Sequence, residues 1–156
     1  MSTQIIDNER IDRKIAELLM GDAGITSNKI GELVGLSTSA ANERLRKLKN
    51  EGAIKRIVAM VDCNFMNMNL GAFIFVLVEG KTNNTNFLEK AVAHENILEC
   101  HHLTGEYSYL LKVRCADTKA LEFLISDFLK AQKGVAKTMT QIILSSHKEN
   151  SLVVSF

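Results

Sequence analysis

Residues 25–56, ITSNKIGELVGLSTSAANERLRKLKNEGAIKR, decide how this chain reads. Ile30, Leu33 and Val34 recur at helical spacing behind Thr26 or Ser27, either of which can cap a short helix. Gly35 stands where a left-handed residue would end that helix, and Leu36 follows. Ser37 then opens another helix running to about Asn50, with Ala41, Leu45 and Leu48 inward and Gly52 as its stop. A short helix, a tight turn containing Gly and a second helix opened by Ser form the layout of a helix-turn-helix. Upstream, Ile11, Ile15, Leu18 and Leu19 make one apolar stripe behind Asp7 as N-cap, and Gly21-Asp22-Ala23-Gly24 breaks it.

Downstream the apolar period changes. Ala53–Val61 is apolar and β-branched around Lys55-Arg56 and reads as a strand, which would give the helical domain a wing. Residues 62–71, DCNFMNMNLG, are Asn-rich and read as a connector. Then come a strand at 72–79, a loop at 80–84, a helix over about 85–94 and a strand near 97–103. A turn at Gly105, a strand at 107–114, a helix from Thr118 to about Lys130 and a strand at 135–145 complete the series. The tail ends in SLVVSF (151–156) and offers a further edge strand. The order β-α-β-β-α-β is the ferredoxin-like arrangement, an antiparallel sheet with both helices on one face. The fold class is therefore α+β, with a helix-turn-helix domain at 1–56, a strand and connector at 57–71 and a ferredoxin-like domain at 72–156.

Strand 72–78, AFIFVLV, is apolar on both faces: Phe73, Phe75 and Leu77 point one way, Ala72, Ile74, Val76 and Val78 the other. Helices cover one face only, and an apolar second face in water would be an unusually large exposed patch. A second copy of the chain in a symmetric dimer is the expected cover, with the tail or the connector as the alternative.

The 19 Lys+Arg against 18 Asp+Glu leave a net charge of only +1, which at first sight argues against a nucleic-acid partner. Charge is not spread evenly. Residues 1–40 carry four basic and six acidic side chains, residues 41–56 six and two, and residues 57–156 nine and ten. The excess is packed into 16 residues, the second helix of the motif and the segment after it. Phosphate binding needs such a local footprint, whatever the total.

The wheel of that helix turns Ser39, Asn42, Glu43, Arg46 and Asn50 outward, with Lys47 beside them. The N-terminal part of a recognition helix meets base edges. Thr38, Ser39 and Asn42, with Ser37 at the same end, are expected there; Asn suits adenine and Glu43 can accept from a cytosine amino group. Arg46, Lys47, Lys49 and Arg56 are expected on phosphates of double-stranded DNA. Arg44 lies near the apolar edge of the wheel and either pairs with an acidic neighbour or joins the DNA contacts.

Together these stretches resemble the Lrp/AsnC (leucine-responsive / asparagine-synthesis, feast/famine) family of transcriptional regulators. The resemblance rests on IDRKIAELL (11–19), ITSNKIGELVGLS (25–37), ERLRKLKNEGAIKR (43–56), AMVD (59–62), NLGAF (69–73) and ILECHHLTGEYSYLLKV (97–113). It implies a sequence-specific DNA-binding regulator. Its C-terminal domain would bind an amino acid or related small molecule and assemble homodimers into an octamer. In the family the turn after the second sheet strand lies where dimers meet and lines the effector pocket. By resemblance Thr104, Gly105, Glu106, Tyr107 and Ser108 would line it here, with Thr138 and Thr140 contributing. This chain departs from the family in having Gly24 for Arg, Lys29 for Glu, Glu95 for Pro and Ser108 for the Asp of the turn. A Ser cannot supply that negative charge. Either Glu106 substitutes, or the ligand preference differs, or the turn serves assembly alone. A ligand-sensing oligomer whose helical domain binds protein is the alternative function.

No Gly-rich phosphate loop, nucleophile elbow or zinc-ligand spacing is present, so neither an enzyme nor a cofactor is expected. Cys100-His101-His102, with His94 or His147, would need ligands from elsewhere to hold a metal, because neighbouring strand residues face opposite sides. The odd set Cys63, Cys100 and Cys115 suits a reducing cytoplasm. No signal-like apolar stretch opens the sequence, and AFIFVLV is too short to span a bilayer, so no membrane partner is expected.

Overall fold

A computed structural model of the chain describes residues 2–149, leaving aside the side chains of residues 2–7, 81 and 82. The edge strand expected in 151–156 lies outside the described residues. The chain divides into two compact units, the second running from Val61 to His147.

The first unit holds α1 (Ser2–Gly21), α2 (Ser27–Val34) and α3 (Thr38–Asn50). Asp7 is inside α1 rather than at its cap, because the helix starts five residues before it. Thr26 caps α2 by accepting from the Lys29 N–H at 3.3 Å, and Ser37 caps α3 by accepting from Ala40 at 3.2 Å. Ile15, Ile30, Ala41 and Leu48 form the buried centre, with Ile11, Leu19, Ile25, Val34, Leu45 and Ile54 packed around it. Leu33, expected inward, is 51% exposed. The helix between Thr26 and Gly35 has room to bury only one narrow stripe, and Ile30 and Gly31 take it.

Gly31 is required by close approach. A Cβ there would stand 2.6 Å from the carbonyl oxygen of Leu36, a backbone atom of the turn itself. Gly31→Ala is therefore expected to destabilise this unit by about 1–3 kcal/mol, even though Ala favours helices. A lowered urea midpoint for the variant checks this; an unchanged one contradicts it.

The second unit contains β1 (Leu70–Val78), α4 (Lys81–Ala93), β2 (Ile97–His102), β3 (Tyr109–Cys115), α5 (Thr118–Phe123) continued by a π-helical turn (Leu124–Leu129), and β4 (Val135–Ile142). The sheet order is β2-β3-β1-β4, antiparallel throughout. Ile74 stands opposite Leu111 on one side and Thr140 on the other. Ala72, Ile74, Val76, Leu111 and Val113 face Phe87 and Ala91 of α4 and Leu121, Leu124 and Leu129 of the second helical segment. Both helices thus cover one face, the expected α+β arrangement. Each large side chain so buried contributes about 1.5–3 kcal/mol.

Three local readings are corrected. Residues 81–84 are helical rather than loop, because Asn83 and Asn84 donate their side-chain amides back to the Glu79 and Gly80 carbonyls. The helix expected to Lys130 widens into a π turn after Phe123. Leu124 and Leu129 are both buried, and on a regular α-helix two residues five apart would turn away from each other. Ala53–Val61 forms no strand: its β-branched residues find no ladder partner among the described residues, and Ile57, Val58, Met60 and Val61 stay exposed.

Candidate nucleic-acid and effector interfaces

α3 carries a dense polar face. Ser39, Asn42, Glu43, Arg46, Lys47, Lys49 and Asn50 are all exposed, and so is Arg56 beyond the helix. Ser37 spends its hydroxyl on capping. Thr38 and Asn42 bond to α2: Thr38 Oγ1 donates to Asn28 Oδ1 at 3.0 Å, and Ser27 Oγ donates to Asn42 Oδ1. Lys47 lies 3.8 Å from Glu51, a loose surface pair. Arg46 and Lys47 line one open cleft with Asn8, Ala40, Glu43 and Arg44.

Of the two alternatives for Arg44, the structure has the intramolecular one. Its guanidinium pairs with Asp12 at 2.8 Å, both groups about four-fifths buried, and donates to the Asn8 side chain and backbone. It ties α3 to α1. Asn8 and Asn28 were not singled out by sequence, and Ser27 only as a possible cap, because partners 36, 10 and 15 residues away leave no local pattern.

The turn after β2 is closed by Leu103 N–H donating to Ser108 O at 2.9 Å, with Gly105 at φ 112°. Ser108 docks on β1. Its N–H donates to Val76 O at 3.0 Å, and its hydroxyl accepts from Val78 N–H at 3.2 Å and donates to Val78 O at 3.3 Å. An ionised Asp could not make that last donation. Position 108 in this chain therefore completes the strand end rather than presenting a charge.

The charge lies beside it. Glu106 Oε1 is 2.7 Å from Lys137 Nζ, whose pKa is raised by the hydrogen bond to Glu106 and then by Tyr107. The Lys137 ammonium sits 5.4 Å from the Tyr107 ring centre, and that ring leans on Phe75 at 5.7 Å. Lys137 was missed by sequence, being 31 residues from Glu106. Thr138 and Thr140 are not brought into this group. They stand opposite Val76 and Ile74, on the helix-covered face, whereas Lys137 stands opposite Leu77 on the other. Thr104 and Gly105 are exposed at the tip.

His101 and His102 diverge as their strand positions require. His101 meets Glu99 at 3.1 Å, and that bond, ahead of Lys112, holds the Glu99 carboxyl below its ordinary range; His102 stacks on Tyr109. Among the described residues no cluster of three metal-ligating side chains occurs, and no helix is long and apolar enough to cross a membrane.

With this geometry in view, the comparisons with known proteins are direct. The profile of the Lrp/AsnC ligand binding domain matches residues 71–153, and that of a winged helix-turn-helix DNA-binding domain matches residues 8–55. The chain belongs to the Lrp/AsnC family. This regulator is 32% identical over 142 residues to the HTH-type transcriptional regulator FL11 of Pyrococcus furiosus, covering 90% of this chain and 92% of the other. It is 31% identical over 150 residues to the leucine-responsive regulatory protein of Escherichia coli K12, covering 95% and 92%. A transcriptional regulator of Neisseria meningitidis, solved as its L-Met complex, superposes with a TM-score of 0.84 at 28% identity, covering 90% and 92%. This Lrp/AsnC regulator thus joins a helix-turn-helix DNA-binding module to a ligand-binding module, as the resemblance implied.

Proposed function

We propose that this regulator is a homo-oligomer that grips duplex DNA with the outer face of α3 and answers to a free amino acid held at the 104–109 turn. Ser39, Asn42, Glu43 and Thr38 meet or approach the bases; Arg46, Lys47, Lys49 and Arg56 meet phosphates. The observation that carries the DNA part is the exposed basic strip on α3, built on a helix locked to both its neighbours. Dimers form through the sheet face that no helix covers, where Phe73, Phe75, Leu77 and Leu110 are only half-buried. Further assembly to an octamer brings the turns of neighbouring dimers together.

For the ligand, Glu106 takes over the role of the missing Asp. A zwitterion matches the opened Glu106–Lys137 pair: its ammonium replaces Lys137 on the carboxylate, its carboxylate replaces Glu106 on Lys137, and Tyr107 and Phe75 supply an apolar wall. The relative solved with L-Met supports an amino acid as the class. Titration calorimetry with the twenty amino acids is expected to give heat with at least one, and Glu106→Gln to weaken that binding about tenfold or more. No heat with any amino acid contradicts the ligand reading; equal binding by Glu106→Gln contradicts the role of Glu106.

A further inference from the structure

Two residues at the start of α2 each bond to a polar side chain on the reading face of α3. Glu32 accepts from the Asn28 side-chain N–H at 3.1 Å and pairs with Lys29 at 2.9 Å. The hydrogen bond and charge of Lys29 lower the Glu32 pKa, so Glu32 is a carboxylate at neutral pH and only accepts. The Asn28 amide is thereby oriented: its nitrogen faces Glu32 and its oxygen faces Thr38. An amide oxygen can only accept, so the Thr38 hydroxyl must donate to it, as the 3.0 Å bond shows. What Thr38 has left toward solvent is lone pairs. Asn42, one helical turn further on and on the same side of α3, is held in the opposite sense. Ser27 donates to one lone pair of its carbonyl oxygen, and the second lone pair and Nδ2 remain.

We infer that Asn28 sets the hydrogen-bond polarity of Thr38 on the reading face, making its hydroxyl an acceptor toward DNA. This rests on α3 being the helix that faces DNA. Two consequences separate it from the general expectation for these residue types. Thr38 does not serve as a phosphate contact, because a phosphate offers only acceptors. It reads a base amino group, on adenine N6 or cytosine N4. Asn28 touches no base itself and is a positioning residue.

The test is selection of binding sites from a randomised duplex library by the full-length protein, with Thr38→Ala and Asn42→Ala mapping the base pair that each residue reads. Wild type is expected to select adenine or cytosine at the Thr38 position, and the Asn42 position serves as the reference. Asn28→Ala releases the Thr38 hydroxyl and should relax the first preference about fivefold while leaving the second as it is. Glu32→Gln lets the Asn28 amide turn over without removing it, and should relax the first position as Asn28→Ala does. A thermal melt of each variant separates lost fold from altered reading. The inference is overturned if Asn28→Ala retains the wild-type profile at the Thr38 position, or if Thr38→Ala leaves a selective profile unchanged. Both of those results leave DNA binding intact. Failure of wild type to retain any duplex would instead overturn the DNA-facing assignment of α3, and this inference with it.

Discussion

Changing Arg46 and Lys47 together to Ala is expected to lower affinity for duplex DNA by about a hundred- to a thousandfold, with the fold intact. Each phosphate neutralised by a basic side chain releases condensed counterions, and a dimer would lose four such contacts at once. The fold should not suffer. Arg46 is exposed with no ion pair among the described residues, and the 3.8 Å pair of Lys47 with Glu51 is of the exposed kind that contributes little. Arg44 is the useful contrast. It is part of the structure of the unit, tied to Asp12, so Arg44→Ala should lower the melting temperature as well as the affinity. A double variant that melts like wild type and yet binds like wild type would mean that the recognition face lies elsewhere.

The second large effect is expected from Phe73→Asp. Phe73 stands at the middle of β1 on the face without helices, opposite Lys112 and Gln141. In one copy of the chain the new carboxylate lies beside Lys112 and remains wet. In a face-to-face dimer two such carboxylates enter an apolar contact, at an effective cost of several kcal/mol per ion. Dimerisation should weaken on the order of a thousandfold or more, and sedimentation or light scattering would read a monomer. DNA affinity should fall about a hundredfold or more with it, because the α3 strips are no longer linked. A variant that remains a dimer would move the interface off this face.

The parts of this architecture visible in the sequence are those set by local chemistry. Thr26 and Ser37 cap α2 and α3 where a hydroxyl before an apolar stripe would place them. β1 was legible as a short run apolar on both faces, and the β-α-β-β-α-β order followed from turn residues and changes of period. The misses have a common cause. Asn83 and Asn84 look like loop residues until their side chains bond backward to Glu79 and Gly80. Ile57, Val58 and Val61 favour a strand, but propensity without a neighbouring strand produces none. The site divides the same way. The basic cluster at 41–56 is a local count of charges, and it explains why a near-neutral chain can still carry a DNA strip. The Glu106–Lys137 pair, the Asp12–Arg44 tie and the bonds from Ser27 and Asn28 to α3 join residues 10 to 32 positions apart. Only the three-dimensional arrangement brings them together.

The central claim, that a single basic strip on each subunit grips DNA phosphates, is tested most directly by salt. Affinity of the intact oligomer for a selected duplex should fall steeply as salt rises, with log K against log [salt] sloping by about −0.9 for each phosphate contact, and Arg46→Ala/Lys47→Ala should flatten that slope by about two contacts per bound subunit. Binding that stays level between low and moderate salt, or a slope that the double substitution leaves unchanged, would contradict it.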